Sequence, residues 1–159
     1  ALLGQVSDGR GGLFAFWSTE GSILAQLIDS GGKRVWPENG LVVVDGVGAA
    51  GTETAHALGS AGAGRAVVCW EVETAEGVAR RAQRIDSVGS RLWPDSGIAI
   101  DTLSEPAAWS IGASDQAVFF ASGTRTNHES HLQKVDMDGS LPWGPEGIRL
   151  DDWRESGAG

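Results

Sequence analysis

The chain has 159 residues, of which 41% are hydrophobic and 24 are glycine, and its formal net charge is −9. This length and apolar content suit one domain with a packed core, and the acidic balance excludes nucleic acid as a partner because a phosphate backbone requires a basic face. Membrane insertion is excluded as well, because the longest apolar stretches, 41–44 and 66–70, fall far short of the roughly 20 residues that span a bilayer.

The first 46 residues predict two consecutive hairpins. An apolar run leads into the Gly-rich turn 7–12, and a second run ends at Trp17. After a short loop, another run reaches a turn at 30–32 and returns to Trp36. Asp and Gly suit such turns, because Asp bonds its own backbone and Gly tolerates positive φ. Two hairpins supply four strands, which is the size of one propeller blade.

The second hairpin recurs twice with the identical spacing Q-x-x-D-x-x-G-x-x-x-W-x-x-x-G-[LI]. Its three copies are Gln26, Asp29, Gly32 and Trp36; then Gln83, Asp86, Gly89 and Trp93; then Gln133, Asp136, Gly139 and Trp143. A period near 50 residues is typical of stacked arrays and propellers. We therefore predict an all-β chain of three four-stranded β-propeller blades, at about 1–46, 54–102 and 107–152. These blades form one unit that is half of a six-bladed ring.

Aromatic residues repeat with the blades. The first hairpins align Trp17 with Trp70 and Phe120, and the second hairpins align the tryptophans of the repeat. These six rings are predicted to pack within and between blades, with Trp36, Trp93 and Trp143 buried at blade boundaries. Residues 71–84 are the best helical candidate, but Gly77 interrupts them, so we predict strand, loop and strand there.

The turn Asp8-Gly9-x-Gly11-Gly12 with Trp17, followed by residues 25–41, resembles a repeat found in secreted bacterial β-propeller proteins. The Gly-x-x-x-Trp step is similar to the tryptophan-docking repeat of quinoprotein propellers, in which the ring lies between adjacent blades. This resemblance implies a propeller and a secreted or cell-surface location. The chain begins with Ala1 and shows no signal peptide, which favours processing or excision. The resemblance implies no single function, because one fold serves many roles.

Two tryptophans stand outside the repeat, Trp109 and Trp153. The second lies beside Arg154 in a polar tail. Because Trp and Arg dominate interface hot spots, we predict that Trp109, Trp153 and Arg154 are binding or interface residues for a glycan or a protein.

Metal and thiol chemistry are less favoured. Asp136 and Asp138 resemble the start of a calcium loop, but a hairpin turn explains all three copies of this segment, whereas calcium explains one. No cofactor or metal is therefore predicted. His128 and His131 lie three apart, so on a strand they face opposite sides, and a solvated loop is the simpler interpretation. Cys69 is predicted to be a buried structural thiol.

The predicted function is a non-catalytic binding or assembly module. Its partner is a second copy of the chain or another blade-bearing chain, because three blades do not close a ring of four to eight. The alternative is a propeller enzyme resembling glycoside hydrolases, which needs only two suitably spaced carboxylates. However, the repeated carboxylates of Asp29, Asp86 and Asp136 are explained by their turns.

Overall fold

A computed structural model of the chain describes residues 2–19, 21–45, 55–60, 62–103, 108–114, 116–124, 126 and 128–150. These residues form strands joined by turns, with no helix among them, which confirms the predicted all-β class. Nothing in these ranges is thus a helix long and apolar enough to cross a membrane.

Twelve strands in the described ranges make three antiparallel sheets, each a meander in chain order. Sheet 1 contains β1 (Leu2–Ser7), β2 (Leu13–Thr19), β3 (Ser22–Ile28) and β4 (Leu41–Asp45). Sheet 2 contains β5 (Ala55–Ser60), β6 (Arg65–Thr74), β7 (Gly77–Asp86) and β8 (Ile98–Leu103). Sheet 3 contains β9 (Ala108–Ala113), β10 (Ala117–Gly123), β11 (Ser130–Asp136) and the two-residue β12 (Ile148–Arg149). The long hairpin β6–β7 confirms strand, loop and strand in residues 71–84.

Sheet 2 is packed between sheets 1 and 3. On β6, Ala66, Val68 and Trp70 join a buried cluster with sheet 1, whereas Val67 and Cys69 join a second cluster with sheet 3. Because alternate residues of a strand point to opposite faces, both faces of sheet 2 are covered. The first strands β1, β5 and β9 lie next to one another, so the sheets stack in chain order.

Two of the three repeat tryptophans connect their sheet to the following one. Nε1 of Trp36 donates to the Ser87 carbonyl at 3.2 Å, and Nε1 of Trp93 donates to the Met137 carbonyl at 3.2 Å. Both rings are buried. Trp143 is 37% exposed, so the prediction that it is buried is wrong. The physical reason is that no further sheet follows sheet 3 within the described ranges.

In sheets 1 and 2, the repeat glutamine holds the repeat tryptophan in place through the tryptophan's backbone. Oε1 of Gln83 accepts from the backbone N–H of Trp93 at 3.1 Å and of Arg84 at 2.9 Å. Its Nε2 donates to the carbonyl of Pro94 at 2.7 Å. Gln26 makes the same bonds around Trp36 in sheet 1. A side chain that both donates and accepts is required there, which explains the distance from Gln to Trp in these two copies; Gln133 instead bonds the Gly144 carbonyl and the Lys134 N–H.

Strand register corrects one predicted alignment. The glutamines Gln26, Gln83 and Gln133 lie opposite Ala15, Val68 and Phe120, respectively. Phe120 therefore does not match Trp17 and Trp70, as predicted; the residue in their position is Ser122, opposite His131. The error is a slip of two residues, which keeps a side chain on the same face of the sheet and so leaves the alternating pattern unchanged.

Candidate functional site

The outer face of sheet 3 carries an exposed copy of a buried aromatic pair. In sheet 1, Phe14 and Trp36 lie 5.9 Å apart between ring centroids and are buried against sheet 2. At the matching positions of sheet 3, Phe119 and Trp143 lie 6.1 Å apart with a similar tilt, yet they are 39% and 37% exposed. We call this the open face of sheet 3; it contains Phe119, Ala121, Leu132, Trp143 and Ile148.

A cavity of about 220 Å³ lies on the open face of sheet 3. Its walls include Phe119, Ala121, Leu132 and Trp143. These residues occupy positions whose counterparts in sheets 1 and 2 are covered by the following sheet. The cavity is therefore the place that a further sheet would fill.

The outer face of sheet 1 carries the opposite half of such an interface. Trp17 on this face is half-buried, whereas its counterpart Trp70 is 1% exposed because sheet 1 covers it. We call this the open face of sheet 1; it contains Leu13, Ala15, Trp17, Leu24, Ile28 and Val42. Each open face thus matches one side of an interface that the chain already contains.

The turns that receive the tryptophans show the same difference. A Cβ on Gly89 would contact Leu41 and Trp36 of sheet 1, and a Cβ on Gly139 would contact Trp93 of sheet 2. A Cβ on Gly32, the matching glycine of sheet 1, would have nothing within 4 Å. The turn at Gly32 is therefore shaped like a receiving turn but receives no ring from the described residues.

A second candidate site lies between sheets 2 and 3, where polar residues replace apolar ones. In sheet 1, Ile23 lies opposite Val44 at a β-bulge, and both are buried. At the same bulge of sheet 2 the opposed residues are Arg80 and Asp101. Their side chains are almost fully buried and make a two-pronged ion pair. Charge has therefore replaced hydrocarbon at equivalent positions.

The ion pair is packed against residues that are also specific to this interface. The Arg80 guanidinium lies over the Trp109 ring, 5.5 Å from its centroid, which is within the range of a cation–π contact. Trp109 lies opposite Ser122 in the sheet. The large ring that sheets 1 and 2 carry on their second strand is thus carried by the first strand of sheet 3.

A cavity of about 250 Å³ opens beside this cluster. Its lining includes Ile100, Asp101, His131, Leu141 and Glu146. His131 is only 6% exposed, and neither of its ring nitrogens has a hydrogen-bond partner among the described residues. Unpaired buried polar groups are costly, so this cavity has unused capacity for hydrogen bonds.

The predicted site residues are placed as follows. Trp109 is half-buried at the boundary between sheets 2 and 3, and Trp153 and Arg154 lie outside the described residues. Asp136 pairs with Lys134 at 3.0 Å. The Asp138 carboxylate accepts from the hydroxyl and the N–H of Ser140, and these bonds lower the pKa of Asp138. Within the described ranges no three acidic, His or Cys side chains are grouped to hold a metal.

Cys69 is fully buried in the cluster between sheets 2 and 3. Desolvation raises the pKa of its thiol well above the ordinary value, an effect that nearby Arg80 partly offsets and Asp101 reinforces. Because the thiolate is the reactive form, we expect no labelling of the native chain by a thiol reagent at pH 8 on a scale of minutes, and complete labelling in denaturant. Rapid labelling of the folded chain would contradict the packing of sheet 3 on sheet 2.

Sequence reasoning missed Phe119, Arg80, Asp101 and His131 as a group. The signal for Phe119 was its equivalence to Phe14, but the alignment placed Phe120 in the repeat instead. Arg80 and Asp101 correspond to Ile23 and Val44 only when the β-bulges of sheets 1 and 2 are aligned, and the position of a bulge cannot be read from the sequence. Strand pairing was therefore needed to find either site.

Comparison of the chain with protein-family models, with curated proteins and with solved structures found no match.

Proposed function

We propose that the chain is an assembly module, a three-bladed portion of a β-propeller that joins a second copy head to tail through the open faces of sheets 1 and 3. The observation that carries this proposal is the Phe119–Trp143 pair, which repeats the buried Phe14–Trp36 pair without a sheet to cover it. Exposed apolar patches of this kind mark interaction sites.

The repeat specifies how the second copy docks. Trp36 and Trp93 each donate to a carbonyl two residues before the receiving glycine, at Ser87 and Met137. The matching carbonyl in sheet 1 is that of Ser30, beside the uncovered Gly32. In the proposed complex, Trp143 of one copy donates to Ser30 of the other, and the Phe119 ring packs against the face that contains Trp17.

Ring closure follows from the number of blades. Head-to-tail contacts form a ring when their rotation closes and a filament when it does not, and propellers close with four to eight blades. Two chains of three blades give six, and the ring has two identical interfaces. A secreted or cell-surface location is part of the proposal, through the resemblance of the repeat.

The alternative functions have less support. Repeated polar pockets between blades would favour a lectin. However, the cavity of about 250 Å³ lies only at the boundary of sheets 2 and 3, and the matching place between sheets 1 and 2 is filled by Ile23, Val44 and Trp70. A glycoside hydrolase needs an available pair of carboxylates. In the cavity, both oxygens of Asp101 are bound by Arg80.

Substitution of Phe119 by aspartate tests the assembly. We expect Phe119→Asp to abolish self-association, because the complex would bury an unpaired charge, and to leave the fold intact, because Phe119 is 39% exposed in the single chain. Val88→Asp is the matched control, since Val88 is 77% exposed in a turn outside both open faces. Sedimentation velocity and circular dichroism measure the two effects.

The result also separates the two predicted partners. If both variants and the unchanged chain sediment as one species of two chains, the open face of sheet 3 is not the interface. If the pure chain is monomeric and forms a complex only when another blade-bearing chain is added, that chain supplies the missing blades.

A further inference from the structure

The cavity between sheets 2 and 3 has the properties of a binding site, and we propose that it takes a neutral, hydroxyl-rich ring the size of one hexose. Its lining combines the buried His131 and Asp101 with the apolar side chains of Ile100, Leu141 and Pro145. A sugar ring presents the same combination, an apolar C–H face with hydroxyls around its edge. This site lies within one chain, so it does not depend on the proposed assembly.

Four positions differ together between the two sheet boundaries. At the boundary of sheets 1 and 2, the four positions hold, in order, Ile23, Val44, Trp70 and Arg81. At the boundary of sheets 2 and 3, the same four positions hold, in the same order, Arg80, Asp101, Ser122 and His131. The first two changes introduce charge into a buried interface, and in the third the ring is carried by Trp109, which lies opposite Ser122. A buried ion pair is seldom more stable than hydrocarbon of the same volume. Stability therefore does not explain the replacement, whereas a ligand does.

The cavity lining has unused hydrogen-bonding capacity. An imidazole has two ring nitrogens that take part in hydrogen bonds, and neither ring nitrogen of His131 bonds any described residue. Asp101, which also lines the cavity, is held in place by Arg80. A hydroxyl both donates and accepts, so a ligand rich in hydroxyls satisfies donors and acceptors together.

The volume of the cavity limits the size of its ligand. The cavity of about 250 Å³ holds the volume of about eight waters at roughly 30 Å³ each. Pockets for drug-sized ligands begin at about 300 Å³. The cavity is therefore too small for an oligosaccharide to be enclosed, and it suits a single ring whose edge reaches the mouth, where the exposed Glu146 lies.

The charges around the cavity favour a neutral ligand. The positive charge of Arg80 is neutralised by Asp101, and Glu146 at the mouth is acidic, so the lining has no excess positive charge to hold an anion. Arg84, the next basic residue of β7 on the face toward sheet 3, is not part of the lining. Because Arg80 binds both oxygens of Asp101, only His131 and Glu146 remain as metal ligands, which is too few for a protein site. A neutral ligand fits best.

Titration with single hexoses tests the proposal. Glucose, galactose and mannose are added separately to the chain, and the imidazole proton signals are followed by NMR. We expect at least one hexose to shift the His131 signal in a saturable manner, with a dissociation constant on the order of millimolar. His131→Ala should weaken binding at least tenfold, and His131→Gln, which keeps a donor and an acceptor, should retain it.

Two further variants separate binding from packing. His128→Ala is the matched control, because His128 lies in the loop before β11 and outside the lining; it should bind as the unchanged chain does. The double variant Arg80→Ile with Asp101→Val restores the residues found at the boundary of sheets 1 and 2. It should unfold at the same denaturant concentration or a higher one, and it should lose hexose binding.

Three results would overturn the proposal. The first is that no hexose shifts the His131 signal at millimolar concentrations, which would mean that the cavity holds water only. The second is equal binding by the double variant and the unchanged chain. The third is equal weakening by His128→Ala and His131→Ala, which would place the effect outside the cavity.

Discussion

Substitution of Trp93 by alanine is expected to lower the free energy of unfolding by about 3 to 5 kcal/mol. Trp93 is 4% exposed, packs in the cluster between sheets 2 and 3, and donates to the Met137 carbonyl. The variant loses the buried ring area and leaves that carbonyl without its donor. Against a total stability of about 5 to 15 kcal/mol for a typical domain, this loss is large.

Trp143→Ala is the matched control, because Trp143 occupies the same repeat position at an uncovered face. In dilute solution, where the chain is monomeric, its loss should stay below about 1.5 kcal/mol, less than a fully buried apolar side chain contributes. Chemical denaturation of the two variants measures the difference. Equal losses would mean that docking against the next sheet adds nothing to the stability of the repeat tryptophans.

Substitution of Gly97 by alanine is expected to cost about 2 to 5 kcal/mol, the sum of backbone strain and overpacking. Gly97 has φ of +70°, a conformation that L-residues adopt at a cost. A Cβ there would meet Cη2 of the buried Trp70 ring and lie 2.7 Å from the Ala82 carbonyl oxygen. Neither the ring nor the strand backbone has room to move.

Gly144→Ala isolates the steric part of this effect. Gly144 has φ of +76°, and a Cβ there would have nothing within 4 Å. The variant should therefore lose only the free energy of the backbone strain, about 1 to 2 kcal/mol. Thermal or chemical unfolding of both variants tests the prediction. A loss for Gly144→Ala as large as that for Gly97→Ala would show that the contact with Trp70 is not tight.

The repeated hairpins were predictable because their signals are local. Gln26, Asp29, Gly32 and Trp36 lie within one hairpin, and their bonds depend on short distances along the chain. A fixed spacing in sequence therefore becomes a fixed geometry. The all-β class and the strands of β6 and β7 follow from the same kind of evidence.

The open faces were harder to predict because burial depends on what lies opposite. Trp36 and Trp143 have the same local sequence pattern and nearly the same partner ring, but only one is covered by another sheet. A sequence repeat indicates only the structural environment that all copies of the unit share. It does not report which copy is at the end of the stack.

The cavity between sheets 2 and 3 was not predicted from the sequence, because its residues come from different strands. Arg80 and Asp101 are brought together by a bulge in the pairing of β7 with β8, and His131 comes from the next sheet. Each residue by itself looks like a solvated strand residue. Their shared burial becomes visible only when the register is known.

The central claim is that the open faces of sheets 1 and 3 bind each other in a pair of chains. Sedimentation equilibrium of the pure chain at micromolar concentrations tests it most directly. The account predicts a species of exactly two chains that dissociates on Phe119→Asp and persists on Val88→Asp. A stable, folded monomer of the pure chain at all these concentrations would contradict it.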